Sequence, residues 1–236
     1  MCDCQIVCGG AILIEDLSPL ADLNLLSSQS AIPRFIALIA LVALLVGSLL
    51  VAPEEATLGA DMRWVYLHVA FAWAGASLIN VVGLGGIYLI FRPTAIQDSL
   101  WVVPAQTAGL ILFGLGFGLS LAASWTSWGG ILWIEPRVLS SIGILAGGFA
   151  AVILVSLMVN PRTIGVMAIL MSIALNVALA STGRIFHPED PIGESGSMII
   201  RLTFYSLMLV VLAIGVVLTM ILRGSPKHPR GAANSH

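Results

Sequence analysis

Charged side chains are scarce in this sequence. Asp, Glu, Lys and Arg make up 9% of its 236 residues, whereas they make up roughly a quarter of an ordinary soluble domain. Hydrophobic residues make up 58%. Because such a chain has too few polar side chains to cover the surface of a soluble globule, we expect a membrane protein whose solvent is the lipid bilayer.

An excess of basic charge is also missing. Ten Lys and Arg residues stand against twelve Asp and Glu residues, which gives a formal net charge of −2. No positive field is therefore available to hold a polyanion. We expect no nucleic-acid partner.

Cysteine is confined to the first eight residues, as Cys2, Cys4 and Cys8. No ligand-rich partner segment accompanies them, so a plain thiol-bearing tail, a metal site and a lipid attachment site all remain open. The same region lacks the basic start and the unbroken apolar run of a signal peptide. We predict residues 1–33 as an N-terminal tail on the cytoplasmic side.

Six long stretches contain no Asp, Glu, Lys or Arg, and each is close to or above the roughly 20 residues that a helix needs to cross the hydrocarbon layer. They are residues 35–53, 64–91, 99–124, 138–159, 163–183 and 202–222. Lipid cannot pair backbone polar groups, so each stretch is predicted to be a helix. The predicted fold class is an all-α integral membrane protein, with a bundle of six transmembrane helices in residues 34–223 and a basic C-terminal tail in residues 224–236.

The distribution of Lys and Arg predicts the orientation. If the N-terminus is cytoplasmic, the cytoplasmic side holds six of these residues and the outer side four. The six are Arg34, Arg92, Arg162, Arg223, Lys227 and Arg230, and the four are Arg63, Arg137, Arg184 and Arg201. We therefore predict a multi-pass protein of the inner or plasma membrane with both termini in the cytoplasm.

The helix order places the unusual side chains on one face. Connections after the first, third and fifth helices emerge on the outer side, facing the periplasm or the cell exterior. They lead into His68, carry the tryptophan-rich segment 124–137, and carry His187 followed by Pro188. Two neutral imidazoles that face each other across a gap can hold haem iron from both sides, and Pro188 restricts the chain beside the second. The pair indicates a haem site with iron ligands His68 and His187.

The tryptophan-rich segment has two interpretations. Trp125, Trp128 and Trp133 could present a flat apolar surface to a porphyrin, or they could form an aromatic belt that anchors helix ends. Each histidine alone is likewise consistent with an interfacial polar residue bonded to backbone or water. Three arginines are available to pair with the porphyrin propionates. They are Arg63, Arg137 and Arg184.

The interior of the predicted spans carries no ionisable carboxylate, Lys or Arg, which argues against a proton relay through the bundle. The sequence also shows no nucleophile–base arrangement and no phosphate loop. We therefore expect a protein that binds and transfers a ligand rather than an enzyme.

The segment Tyr66-Leu67-His68-Val69-Ala70-Phe71-Ala72-Trp73 resembles the Tyr-[IVL]-His-Val-Pro-Ala-Ala segment of the CcmC branch of haem-handling proteins in cytochrome c assembly. The segment from Trp128-Gly129 through Glu135-Pro136-Arg137 is similar to the tryptophan-rich haem motif of that family, WGxxWxWD followed by a basic residue. His187-Pro188 occupies the place of the family's second external histidine. The resemblance covers about residues 35–222.

This resemblance implies that His68 and His187 are axial ligands of haem b, bound transiently, and that the tryptophan segment presents the haem edge outside the membrane. It implies a membrane-anchored haem chaperone as recipient, with an ABC-type complex alongside. The chain departs from the family pattern in the motif. Trp133 is offset by one position, Glu135 replaces an aspartate, and Ala70 replaces a proline.

Two other functions remain open from the sequence. The chain could be the transmembrane permease subunit of an ABC-type transporter with no haem ligation, for which polar residues inside the spans, Asn80, Ser172 and Asn176, are the only indication. Such residues more often form contacts between helices. The chain could also be a structural partner that organises a larger membrane assembly.

Overall fold

The computed structural model describes residues 31–56, 58–92, 94, 96–182, 192–193 and 195–224. Seven α-helices occupy these residues. They are α1 (Ala31–Leu50), α2 (Met62–Phe91), α3 (Ile96–Ser99), α4 (Val102–Trp128), α5 (Pro136–Ser156), α6 (Pro161–Ala180) and α7 (Met198–Arg223). All but the four-residue α3 are long and apolar enough to cross a membrane. The predicted all-α fold with six transmembrane helices is confirmed, and the chain is a multi-pass membrane protein.

The third span differs from its predicted bounds at both ends. The apolar stretch predicted to begin at residue 99 is interrupted, so that α3 ends at Ser99 and α4 begins at Val102. At the other end, α4 continues through Trp128, because Gly129 is the first residue with left-handed backbone (φ 72°) and caps the helix. Trp125 therefore lies on α4, and the connection to α5 is only residues 129–135.

Helix α2 lies at the centre of the bundle and packs against α4, α6 and α7. Helix α5 packs against α4 and α6, so that α2, α4, α5 and α6 surround a common apolar interior. On the other side of α2, helix α7 contacts both α2 and α4, and α1 packs along α7. Consecutive spans cross the membrane in opposite directions. The starts of α1, α4 and α6 therefore share one membrane face with the ends of α2, α5 and α7.

Glycines set the closest contacts of α2. A Cβ built on Gly75 would lie 2.5 Å from the Phe113 backbone N and 2.6 Å from the Gly109 carbonyl O of α4. A Cβ on Gly86 would lie 2.5 Å from the Gly165 carbonyl O of α6. Small residues let membrane helices approach until their backbones are in contact. Dispersion attraction then stabilises the helix pair, because lipid provides no hydrophobic driving force for helix association. The position of α2 between α4 and α6 depends on these two contacts.

Polar contacts identify the helix ends on each membrane face. Arg34 Nη1 donates to the Met220 carbonyl O at 2.9 Å, which joins the start of α1 to the end of α7. The Arg223 guanidinium lies 3.7 Å from the centre of the Trp101 ring, which joins the end of α7 to the start of α4. We call this side the arginine face because it carries Arg34, Arg92, Arg162 and Arg223. We call the opposite side, where α2 and α5 begin and α4 ends, the tryptophan face.

Candidate functional site

His68 lies on α2, six residues after the helix begins at the tryptophan face. Its side chain is half-buried. The Nδ1 atom lies 2.9 Å from the Trp64 carbonyl O, one turn earlier on the same helix. A carbonyl oxygen can only accept, so Nδ1 must be the donor, and in the neutral ring Nε2 then carries the lone pair. Metal-ligating histidines commonly use one ring N–H in this manner to fix the tautomer and the orientation of the other nitrogen.

The packing of α4 against α2 sets the depth of His68. A Cβ on Gly116 of α4 would lie 3.0 Å from the His68 carbonyl O and 2.5 Å from the Ala72 backbone N. Trp125 follows Gly116 by nine residues, about 13 Å nearer the tryptophan face at the rise of an α-helix. His68 itself is about 9 Å from the start of α2 on the same scale. The backbone of His68 therefore lies about 10 Å deeper than the backbone of Trp125.

Two tryptophans of the predicted site have described side chains, and both are exposed. Trp125 is 64% exposed and Trp133 is 57% exposed. Helix α5 begins directly after the connection, with Pro136 in its first turn, where proline is well accommodated, and Glu135 as the extended N-cap residue. Two indoles that are not packed inside the bundle could contact lipid, a partner or a flat ligand. This exposure is consistent with both an aromatic belt and a porphyrin surface.

Two of the arginines predicted to pair with propionates are described. Arg63 Nη2 lies 3.4 Å from Glu54 Oε1, in an ion pair between partly exposed side chains. Arg137 is exposed in the first turn of α5. A surface ion pair of this kind contributes little stability, so a ligand carboxylate could replace Glu54 beside Arg63 at small cost. Both guanidinium groups lie at the tryptophan face.

The rest of the predicted site lies outside the described residues. Arg184 and His187 are not among them, and neither is the side chain of Trp128. The cysteines, Lys227, Arg230 and both tail histidines also lie outside. The end of α6 is the described point from which the chain leads to His187, so its distance from the level of His68 can be compared with the length of chain between them.

The register of α6 against α2 limits that reach. Ser172 Oγ and Asn176 Nδ2 both donate to Asn80 Oδ1, at 2.6 and 2.7 Å. From this level, His68 is twelve residues, about 18 Å, nearer the tryptophan face, whereas α6 advances only about 6 Å beyond Asn176 to its end at Ala180. About 12 Å separates the two levels. Seven residues lead from Ala180 to His187, and seven extended residues span up to about 23 Å.

The same hydrogen bonds explain the polar residues inside the spans. Asn176 Nδ2 also donates to the Ser172 carbonyl O at 2.8 Å, and Gly83 admits Ser172 against α2 because it has no side chain. Interhelical hydrogen bonds between small polar residues are a standard means of holding membrane helices together. Asn80, Ser172 and Asn176 thus have a structural role as a contact between α2 and α6.

One buried polar residue was missed by sequence reasoning. Gln106 of α4 is completely buried, and neither Oε1 nor Nε2 has a hydrogen-bond partner among the described residues. It precedes Leu110 by one turn, and Leu110 packs into the interior between α4, α5 and α6. A lone glutamine in a long apolar run is the only signal that the sequence gives for it.

We expect Gln106→Leu to stabilise the protein. Leucine has a similar volume and removes two buried polar atoms that the neighbouring helices do not pair, so the free energy of unfolding should rise by about 1–2 kcal/mol. Thermal unfolding of the detergent-purified protein measures the effect. The matched control is Asn80→Leu at a paired polar position of α2, which should lower the midpoint because it strands two donors. A lowered midpoint for Gln106→Leu would contradict the prediction.

Comparison with known proteins adds no family. No protein-family model matches the chain, and no curated protein sequence matches it. The resemblance to the CcmC branch therefore depends on the motifs around His68, the tryptophan segment and His187 alone.

Proposed function

We propose that this protein binds haem b at the extracytoplasmic membrane surface through His68 and His187 and delivers it to a haem chaperone for cytochrome c assembly. The observation that carries the proposal is the hydrogen bond from His68 Nδ1 to the Trp64 carbonyl O. It holds the ring in the tautomer whose Nε2 is basic, which is the form that ligates iron.

The second ligand is within reach. His187 follows Ala180, the last residue of α6, by seven residues. Seven extended residues span up to about 23 Å, which is more than the distance of about 12 Å between the end of α6 and the level of His68. Because α2 and α6 are in direct contact, the lateral distance is also short. His187 can therefore approach His68 from the neighbouring helix and complete a pair of axial imidazoles.

Trp125 and Trp133 provide the apolar surface in this proposal. Both are exposed at the tryptophan face, where an indole can stack against a planar ring or cover its edge. Arg63 and Arg137 lie at the same face and are suited to pair with the two propionates. The four side chains supply the two kinds of contact that a porphyrin requires beyond its iron.

The charges of the two faces support the orientation that the proposal needs. Among the described residues, the arginine face carries four arginines and a single carboxylate, Asp98. The tryptophan face carries fewer arginines than carboxylates. These are Arg63, Arg137, Arg201, Glu54, Glu55, Asp61 and Glu135. Basic residues favour the cytoplasmic side, so the haem site faces the periplasm or the cell exterior.

Delivery requires release, and the site is suited to it. The exposed Trp125 and Trp133 leave one side of the site open to a partner protein. A membrane-anchored haem chaperone is the recipient that the motif resemblance implies, with an ABC-type complex as a further partner. Transfer consists of ligand exchange at iron, without a catalytic nucleophile or base.

Haem titration of the detergent-purified protein tests the proposal. We expect the wild-type protein to bind one haem with a Soret band, and the double variant His68→Ala/His187→Ala to lose at least about 90% of that band because no axial imidazole is left. The double variant His228→Ala/His236→Ala is the matched control and should bind as the wild type does. Haem binding that is unchanged in the first variant, or absent from the wild type, would exclude the proposal.

The alternative function is a permease subunit of an ABC-type transporter without haem ligation. The buried amide of Gln106 is the observation that favours it, because polar groups kept inside the membrane often mark a substrate pathway. If this alternative holds, Gln106→Leu stabilises the fold but abolishes transport, while both histidines can be replaced. Transport measured with the partner ATPase in proteoliposomes distinguishes the two functions.

A further inference from the structure

A groove on the lipid-facing side of the bundle opens toward the arginine face between α2 and α4. We call it the α2–α4 groove, and its volume is about 350 Å³. Its α2 wall is a stripe of residues three or four apart, Leu78, Val81, Gly85 and Tyr88, and its α4 wall includes Trp101 and Val102. The stripe from Leu78 to Leu89 is about 16 Å long, which is about half of the hydrocarbon thickness. The groove is therefore long enough to span one leaflet.

The floor of the groove is open because of a glycine. A Cβ built on Gly85 would have no atom within 4 Å, and the flanking Val81 is 62% exposed. No neighbouring helix among the described residues fills this space. An apolar trough with these dimensions can receive one acyl chain lying along the bundle.

Polar groups occur only at the arginine-face end of the groove. Tyr88 Oη donates to Asp98 Oδ2 at 3.2 Å. One turn along from Asp98, Trp101 lies beneath the guanidinium of Arg223, at 3.7 Å. The rim thus combines one carboxylate with one guanidinium, both outside the apolar trough. A carboxylate has about four lone-pair positions, so Asp98 can accept further donors besides Tyr88.

We propose that the α2–α4 groove is a specific site for a phospholipid with a zwitterionic headgroup that ends in a primary ammonium, such as phosphatidylethanolamine. The acyl chain lies along the trough, Arg223 pairs with the phosphate, and Asp98 accepts hydrogen bonds from the ammonium. The guanidinium and the carboxylate of the rim are thus complementary to the phosphate and the ammonium of this headgroup. A quaternary ammonium cannot donate to Asp98, and a purely anionic headgroup leaves Asp98 without a cation.

The occupant of the groove is tested with the full-length protein by native mass spectrometry after equilibration with equal amounts of phosphatidylethanolamine, phosphatidylcholine and phosphatidylglycerol. We expect the wild type to retain one lipid molecule, with the ethanolamine lipid enriched about fivefold or more over each of the others. Asp98→Asn should remove the preference over phosphatidylcholine. Arg223→Gln should reduce retention of all three lipids by about tenfold.

Gly85→Leu fills the trough without touching the charged rim and should abolish retention. Gly118→Leu is the matched control, because Gly118 of α4 is also exposed with no atom within 4 Å of its Cβ but does not line the groove. Equal retention in the two leucine variants would overturn the proposal, as would retention of the three lipids in equal amounts. A dimer that dissociates in Gly85→Leu would also overturn it, because a second copy of the chain would then be the occupant.

Discussion

Gly75→Ala is expected to destabilise the protein by about 3 kcal/mol. The added methyl group would lie 2.5 Å from the Phe113 backbone N and 2.6 Å from the Gly109 carbonyl O. Both are backbone atoms of α4 and cannot rotate away as a flexible side chain does. Helices α2 and α4 must separate, and much of the dispersion energy of the central helix pair is lost with the contact. Equilibrium unfolding in mixed detergent micelles measures the change.

Gly85→Ala is the matched control on the same helix. A Cβ at Gly85 meets no atom within 4 Å, and alanine is a better helix former than glycine. The control should therefore be neutral or more stable by up to about 1 kcal/mol. If both alanine variants have the same free energy of unfolding, α2 and α4 do not approach as closely as described. The depth of His68, which depends on the contact of Gly116 with α2, would then also differ.

Hydropathy was sufficient to predict the number and approximate position of the spans. Runs without charge of about 20 residues have one stable arrangement in lipid, and each predicted stretch corresponds to one of the six long helices. The end of α4 was placed too early. Tryptophan and serine do not stop a helix that still has its backbone bonds available, and it is the left-handed Gly129 that ends it.

The neighbours of each helix could not be predicted from hydropathy. Contacts between α2 and α4 or α6 depend on which glycines face each other, as Gly86 and Gly165 do, and an apolar run contains many small residues that face lipid instead. Gln106 illustrates the same limit. Its sequence position gives no indication that the side chain is fully buried, because burial in a membrane bundle depends on helix rotation rather than on composition.

The candidate site was predictable in part. Counting helices was enough to expect His68 and the tryptophan segment on one face, and the structure places His68, Trp125 and Trp133 there. The hydrogen bond that fixes the His68 tautomer was not predicted, since it depends on the i−4 carbonyl of a helix rather than on any motif. The predicted pairing of His68 with His187 stays a prediction, because His187 lies outside the described residues.

Removing one histidine at a time should separate ligation from simple surface binding. If His68 and His187 both ligate iron, the wild type with haem has two strong-field imidazole ligands and a low-spin spectrum. His68→Ala and His187→Ala should each convert it to a high-spin spectrum and weaken haem binding by about tenfold or more. Absorption and electron paramagnetic resonance spectra of the ferric form report the change in ligands independently of affinity.

Added imidazole decides how a single variant should be interpreted. If the cavity left by His68→Ala is intact, imidazole added after the removal of unbound haem enters it and restores the low-spin spectrum, whereas a variant that has lost its fold retains no haem that could respond. Tryptophan stacking alone would give spectra that do not respond to either histidine, since Trp125 and Trp133 supply no strong-field ligand. A low-spin spectrum that persists in His68→Ala without imidazole would mean that His68 is not a ligand, and its bond to the Trp64 carbonyl O would then serve only to anchor the first turns of α2.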